Sequence, residues 1–380
     1  MTEYSKGLNA LFYELIRVAI GTQEGLSRLP SETEWEDLFE MAIRQSLVGV
    51  CFSGLHNLGA DSDDGFTKIG MSEDLFFDWM GMAAQINMRN DVVNQQCVEL
   101  QKRLTADGFS SCVLKGQGIA ALYGEALRGF RQSGDIDVWV DASKEDVIDY
   151  VMRSCPTRDF GLRHIQFKCY SDTEVELHWI PISTYNSLQM CRLGRYFDSE
   201  RERQFAYRTN GLFVPTADFQ VAHQLLHVYT HYAYEGVGLR QMMDLYFAQM
   251  ACASCPVGSV EYGRYHEVMA LFSRLGLIKF VSATQWVLRE VFGMPENILL
   301  CAPDAKEGGK LLDEIMVGGN FGHHDERNYV AGESFIGRFF RRWGRKFRMF
   351  RFDPLGTLIM PLSRLRLELW IRRVRRQYNV

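Results

Sequence analysis

The sequence predicts an α+β protein in which a small mixed sheet lies between two helical regions. Apolar residues recur at helical spacing up to about residue 107. Short apolar runs bounded by turn residues follow between 108 and 182, and helical spacing returns after Pro181. With 380 residues, the chain is long enough for two or three packed units.

The composition is that of a folded protein. Hydrophobic residues make up 47% of the chain and charged residues 23%, which excludes wholesale disorder. No uncharged apolar run is long enough for a transmembrane helix, and Glu14 and Arg17 interrupt the only apolar stretch near the start, so we expect no signal peptide. Nine scattered cysteines favour reduced thiols and a cytoplasmic location.

The N-terminal helical region covers residues 1–107. Apolar residues at helical spacing predict helices near 8–19 and 35–43. Ser31, with a glutamate three residues later, predicts a capping box at the start of the second helix. A long helix is predicted from about 73 to 107, where Asp-Gly ends it.

An α/β core is predicted at 108–182 and a C-terminal helical region at 183–335. The predicted core strands are 111–114, 136–140, 165–170 and 174–179, with helices at 117–123 and 144–152. The predicted helices of the following region are 217–232, 239–250, 265–275 and 280–291, and a glycine-rich loop is expected at 318–322.

The D-x-D sequence Asp135-Ile136-Asp137, after Gly134, is the sharpest candidate site. Alternate residues of a strand share a face, so the two carboxylates project together while Ile136 faces the core. Such a pair is repulsive, and a divalent cation with a preference for oxygen ligands, Mg²⁺ above all, is the usual compensation. Gly134 would let a triphosphate approach the backbone. The alternative is two solvated aspartates at a strand end.

Three further features accompany this pair. Lys115-Gly116 stands between a strand and a helix, where a phosphate is favoured, although a simple turn has the same pattern. A third carboxylate could come from Glu174 or Glu176, which share a face of one predicted strand. Arg131 could reach phosphate oxygens or be a surface residue.

Together these residues resemble a bacterial family of nucleotidyltransferases in the DNA polymerase β-like superfamily. The resemblance covers about residues 90–250, through the ordered set Val113-Leu114-Lys115-Gly116, Tyr123, Arg131, Gly134-Asp135-Ile136-Asp137, Val175-Glu176-Leu177-His178-Trp179, His227, Arg240 and Asp244. It implies that 108–182 is a small mixed-sheet polymerase-β-like nucleotidyltransferase core, flanked by N- and C-terminal helical segments.

The resemblance also implies a mechanism and a set of site residues. Asp135, Asp137 and Glu176 would hold two Mg²⁺ (or Mn²⁺) ions, which activate an acceptor hydroxyl for in-line attack on the α-phosphorus of an NTP. The residues implied for nucleotide binding are Lys115, Gly116, Arg131, Ser133 and Gly134. Those implied for the acceptor side are His178, His227, Arg240 and Asp244.

The chain departs from the superfamily pattern at two positions. Lys115-Gly116 stands where a Gly-Ser pair is usual, and the third acid is Glu176, which has a longer reach than the aspartate often found there. We therefore predict transfer of NMP from an NTP to a hydroxyl acceptor. The alternatives are a nucleotide-sugar-dependent glycosyltransferase and a nucleotide-binding regulatory protein with an inactive fold.

Several histidines and cysteines have plainer interpretations than metal binding. His223, His227 and His231 lie on one helical face, where we expect packing and hydrogen bonds rather than zinc. Cys252 and Cys255 lack the second pair that a zinc site requires. Arg240 and Asp244, four residues apart, are expected to pair on a helix.

The basic amphipathic tail is predicted at 336–380. From 338 onward thirteen Lys and Arg stand against two acidic residues, whereas the rest of the chain is at −16. Arginines and aromatic residues alternate irregularly in the first part, and the segment 362–374 is amphipathic. Such a tail could bind an anionic membrane surface or a nucleic-acid backbone, or pack on the acidic body. Among partners, we favour a membrane surface or an acidic partner. Sequence-specific DNA binding is not predicted, because no recognition motif is present.

Overall fold

The computed structural model describes residues 3–62, 64–256, 258–322 and 349–380. A four-stranded mixed sheet lies among helices, which confirms the predicted α+β class. The motif His323-His324-Asp325, expected in a loop, and the first part of the basic tail up to residue 348 lie outside the described residues.

The N-terminal region is helical, as its apolar spacing predicts. The capping box is present, since the Ser31 side chain accepts from the Glu34 amide and the Glu34 side chain accepts from the Ser31 amide. Gly108, with a φ of +89°, follows the long helix that Asp-Gly was predicted to end. The helices are α1 (Glu3–Ile20), α2 (Glu32–Gln45), α3 (Val48–Asn57), α4 (Gly65–Lys68) and α5 (Glu73–Ala106).

The sheet has the strand order β1-β2-β4-β3. Its two central strands, β2 and β4, are parallel, and each edge strand is antiparallel to its neighbour. The strands are β1 (Ser111–Val113), β2 (Ile136–Val140), β3 (His164–Gln166) and β4 (Val175–His178). The helices between them are α6 (Gln117–Ala120), α7 (Gly124–Arg128) and α8 (Lys144–Ser154), with a 3-10 turn at Ala121–Tyr123.

Strand β3 is shorter than predicted. It ends at Gln166 rather than near residue 170, because the Cys169 amide bonds back to the Phe167 carbonyl in a local turn. That turn takes the following segment out of the ladder with β4, so β3 and β4 are paired at only three positions.

The C-terminal region contains the four predicted helices and others besides. Helix α12 begins five residues before the predicted start, because Ser259 caps it by accepting from the Tyr262 amide. The elements are α9 (Ser187–Ala206), β5 (Arg208–Thr209), β6 (Leu212–Phe213), α10 (Ala217–Tyr234), α11 (Leu239–Ala253), α12 (Val260–Leu275), α13 (Ile278–Phe292), α14 (Ala305–Gly318) and α15 (Pro354–Gln377), with 3-10 turns at Glu296–Ile298 and Asn320–Gly322.

Two buried apolar clusters form the core, and α5 and β2 belong to both. The N-terminal half of α5 contributes Trp79 to the larger, helical cluster, and its C-terminal half contributes Leu100 to the cluster around the sheet. In β2, Val138 faces the sheet cluster and Trp139 faces the helical one. The face of β2 that carries Asp137 is therefore covered by helices. Because these elements are shared, the four-region division of the chain stays a prediction.

Two chemical expectations can be compared with the described residues. No disulfide forms among the nine cysteines, all of which lie in the described ranges. Within those ranges, no helix combines the length and the apolar character needed to cross a bilayer.

Candidate active site

Three carboxylates converge at the start of β2. Asp135 directly precedes the strand, Asp137 lies within it, and Glu176 is its register partner on the parallel strand β4. Side-chain oxygens of the three lie within 4.8 Å of one another. Residues in register on adjacent parallel strands point to the same face, so the pairing selects Glu176, while Glu174 precedes β4 and is exposed.

Lys115 supplies a positive charge to this cluster. Its Nζ lies 3.1 Å from Asp137 Oδ2 and 3.4 Å from Asp135 Oδ2. The lysine follows β1, and the Leu114 amide donates to the Asp137 carbonyl, which holds the two segments side by side. Burial alone would lower the pKa of Lys115, but Asp135, Asp137 and Glu176 raise it, so the ammonium stays charged.

Two histidines hold the carboxylates from the other side. His178 Nε2 lies 2.9 Å from Asp137 Oδ1 and 3.2 Å from Glu176 Oε2, in a fully buried position. His164 Nδ1 lies 2.9 Å from Glu176 Oε2. Because β3 and β4 are antiparallel with His164 opposite His178, the strand register brings both imidazoles to Glu176.

The electrostatics keep the buried carboxylates ionised. Burial opposes the charge of Asp137, but Lys115 and the hydrogen bond from His178 outweigh it and lower the pKa of Asp137. Burial also raises the pKa of Glu176, but hydrogen bonds from His164 and His178 outweigh this effect and hold the pKa well below the ordinary range. Burial would lower the pKa of His178, but its hydrogen bonds to Asp137 and Glu176 raise it. The cluster therefore presents negative charge at neutral pH.

Two glycines lie next to the cluster, and only one of them has a backbone conformation that requires glycine. Gly116 adopts φ +60° and ψ −113°, a conformation that side chains with Cβ rarely adopt, so glycine is needed for this turn. Gly134 is exposed, and a Cβ there would meet no atom within 4 Å, so the space beside this backbone position is open. Helix α6 after Gly116 has only one turn, so Lys115 rather than a helix dipole supplies most of the positive charge here.

Arg131 is engaged in a buried ion pair. Its Nε and Nη2 each donate to Asp244 of α11 at 2.7 Å, and Tyr123 Oη donates to the same carboxylate at 2.6 Å. Arg240 donates to the Gln132 carbonyl at 2.9 Å, and its expected pairing with Asp244 along the helix stays a prediction. These contacts fix the segment before Asp135 onto α11, and a phosphate-binding role of Arg131 stays a prediction.

The histidines of α10 face the same cleft. Their rings contact one another in sequence, with centroid distances of 6.2 Å between His223 and His227 and 4.2 Å between His227 and His231. Burial, with the nearby charges of Arg163 and Lys115, lowers the pKa of His223 to about 3, and burial lowers that of His227. Neither ring nitrogen of His227 has a hydrogen-bond partner among the described residues. These two rings are therefore neutral.

The comparison with known families agrees with this geometry. The model of a family described as "Uncharacterised nucleotidyltransferase" matches residues 31–293, well over half of the chain. The chain belongs to this nucleotidyltransferase family. No curated protein and no solved structure matches the chain. The match includes all the site residues predicted from the sequence and supports nucleotidyl transfer over the glycosyltransferase interpretation.

The carboxylates of this member of the nucleotidyltransferase family fit a divalent cation. Oxygen ligands from Asp135, Asp137 and Glu176 suit Mg²⁺ or Mn²⁺, and the first and third of these side chains are partly exposed. No hydrogen bond from a described residue reaches the buried Asp137 Oδ2, which faces Lys115 Nζ. The described residues contain two groups of three side chains that could hold a metal ion, these carboxylates and the set His164, Glu176 and His178, and neither includes an α10 histidine, Cys252 or Cys255.

Two residues of this site, Arg163 and His164, are not among those predicted from the sequence. Arg163 is half-buried, and its charge affects the pKa of Lys115 and of all three α10 histidines, so it lies on the same cleft. His164 could have been predicted from the pairing of β3 with β4. It lies opposite His178 on the antiparallel strand, and a side chain on the same face as His178 is expected to approach Glu176. No local pattern marks Arg163.

Ser133 is only half-buried and directly precedes the exposed Gly134. Its predicted contact with the nucleotide stays a prediction.

Proposed function

We propose that the protein transfers NMP from an NTP to a hydroxyl acceptor and releases pyrophosphate. The observation that carries this proposal is the convergence of Asp135, Asp137 and Glu176 within 4.8 Å in a chain of the nucleotidyltransferase family. Paired carboxylates on adjacent parallel strands, ionised and next to open space, are what metal-assisted phosphoryl chemistry requires.

The three carboxylates would hold Mg²⁺ or Mn²⁺ together with the triphosphate. When bound, the ions supply positive charge to the phosphates and lower the pKa of the attacking hydroxyl. The protein's own contribution is to fix the carboxylates. His178 bonds both Asp137 and Glu176 from a fully buried position, which limits their rotamers and favours a ready-made site.

Lys115 would serve the nucleotide. Its ammonium already balances Asp135 and Asp137, and cations taking that place would leave it available to the β- and γ-phosphates. Gly116 allows the turn on which this lysine is placed, and the open space at Gly134 would admit the triphosphate next to the backbone. Arg163 adds a second positive charge on the cleft.

The acceptor would approach along α10. His227 is buried and neutral, and its ring nitrogens lack hydrogen-bond partners among the described residues, so it can donate to or accept from an acceptor hydroxyl. Because Asp244 and Arg240 are bonded to the segment 131–132, we assign them the role of holding that segment rather than contacting the acceptor. A small molecule, a sugar or a protein side chain could supply the hydroxyl.

The proposal is tested by following label from α-³²P-labelled NTPs with Mg²⁺ and a panel of hydroxyl acceptors. We expect pyrophosphate release and labelled product with the wild type and with Glu174→Gln, and neither with Glu176→Gln. Glu174 lies two residues away and is exposed, so it is a matched control. Metal-dependent NTP binding without pyrophosphate release from any acceptor would instead indicate the nucleotide-binding regulatory protein.

A further inference from the structure

Helix α15, in the basic tail, is fixed to the body by one of its faces. Met360 and Val374 are buried, and the Trp370 ring lies 6.2 Å from the Trp179 ring, next to the end of β4. Lys144 Nζ lies 3.4 Å from the centroid of Trp370. At the other end, Asp353 caps the helix by accepting from the Gly356 amide. This face of α15 therefore packs on the body, which is one of the alternatives predicted for the tail.

The opposite face carries a continuous stripe of exposed leucines. Their spacing of three and four residues places them in one row, which extends about 21 Å at 1.5 Å per residue. Single exposed leucines are ordinary on a protein surface, but a contiguous row of five is a typical interaction site. The five, between 44% and 66% exposed, are Leu355, Leu358, Leu362, Leu365 and Leu369.

Four arginines, Arg366, Arg372, Arg373 and Arg376, lie beside this leucine stripe at helical spacing, whereas Arg364 and Arg375 contact Tyr185 and the Arg158 carbonyl on the body. Between 354 and 377 six arginines stand against the single acidic residue Glu368, so the helix is at +5, whereas the chain before residue 338 is at −16. The arginines are Arg364, Arg366, Arg372, Arg373, Arg375 and Arg376. A leucine row with cationic borders on an otherwise acidic protein is complementary to a surface that is both apolar and anionic.

We propose that the leucine stripe of α15 docks on the surface of an anionic lipid bilayer. The helix would lie in the plane of the interface, with its leucines at the level of the acyl chains and its arginines at the phosphate headgroups. A second copy of the same face would bring two helices of +5 together, which charge repulsion disfavours. The interaction is independent of the proposed nucleotidyl transfer, because no residue of the carboxylate cluster takes part.

The test is flotation of the full chain with vesicles of phosphatidylcholine alone, or of equal parts phosphatidylcholine and phosphatidylglycerol. We expect binding to the anionic vesicles only, weakened by added salt. Leu358→Glu/Leu362→Glu/Leu365→Glu should reduce the partition coefficient more than tenfold. The controls Leu29→Glu and Leu188→Glu, at positions that are each 56% exposed elsewhere on the surface, should bind like the wild type.

A second variant tests the charges. Each arginine near an anionic surface contributes about fivefold in affinity, so Arg372→Gln/Arg373→Gln/Arg376→Gln should weaken binding by about a hundredfold. All these side chains are exposed, so circular dichroism should show a wild-type thermal transition for every variant.

Three results would overturn the proposal. One is that the wild type does not float with the anionic vesicles, and another is that the leucine variant floats as well as the wild type. The third comes from light scattering: a wild-type dimer that the leucine variant converts to monomer, without vesicle binding, would identify a second copy as the occupant.

Discussion

The buried pair between Arg131 and Asp244 joins the segment before Asp135 to helix α11, and Asp244→Asn should reveal its importance. Both side chains are nearly inaccessible, and both hydrogen bonds are 2.7 Å long. The substitution keeps the shape of the side chain but leaves the guanidinium charge uncompensated in the interior. Breaking a buried pair in this way costs about 3–5 kcal/mol of unfolding free energy.

That loss corresponds to a measurable shift in the melting temperature. Unfolding entropies of about 2.1 cal/mol/K per residue give roughly 0.8 kcal/mol/K for a chain of this length, so Tm should fall by about 4–6 °C. Differential scanning calorimetry measures it directly. Glu368→Gln is the matched control, because Glu368 and Arg372 form an exposed pair at 4.0 Å, and such pairs contribute little.

The double variant Arg131→Met/Asp244→Leu separates the cost of an unpaired charge from the loss of packing. It removes both charges at once, so we expect it to recover more than half of the Tm lost in Asp244→Asn. An Asp244→Asn variant that melts within about 1 °C of the wild type, or a double variant that is less stable than Asp244→Asn, would contradict this role of the buried pair.

Three further predictions concern the site and the N-terminal region. Glu176→Gln should weaken Mn²⁺ binding about tenfold in the absence of nucleotide, whereas Glu174→Gln should leave it unchanged; titration followed by electron paramagnetic resonance measures both. Arg163→Gln should raise the Kd for an NTP about tenfold without altering Mn²⁺ binding, and an equal loss of both would contradict the proposal that Arg163 binds the phosphates. The hydrogen bond from Arg28 lowers the pKa of Glu34 to about 2 from 4.5, so its stabilisation is present above about pH 4.5 and is lost as the pH falls toward 2. Urea midpoints over that range should therefore decrease more for the wild type than for Glu34→Gln.

Local patterns were sufficient for the parts of the site that depend on strand alternation. Asp135 and Asp137 were expected on one face with Ile136 in the core, and Ile136 is buried in the sheet cluster. The alternation of side chains along a strand does not show whether Glu174 or Glu176 is the third carboxylate, because both lie on one face of the predicted strand. The choice depends on which residue of β4 lies opposite Asp137, and that register is set by the whole sheet.

Long-range contacts were beyond the sequence patterns. Arg131 and Asp244 are separated by more than a hundred residues, so no local spacing could predict the hydrogen bonds between them. Helix α9 was not predicted individually, because its sequence is mainly polar and only a few of its residues are buried. For helix α15 the sequence leaves open whether it packs on the body or binds a partner; one face packs on the body through Met360 and Val374, and we propose a partner only for the opposite face.

The most direct test of the metal-dependent site is calorimetry of NTP binding with Mg²⁺, for the wild type and for Asp135→Ala/Asp137→Ala. We predict binding by the wild type that requires Mg²⁺ and disappears in the double variant, because the two carboxylates hold the metal with the triphosphate. Equal binding by both proteins, or binding by neither, would contradict the assignment of this cluster as the nucleotidyl-transfer site.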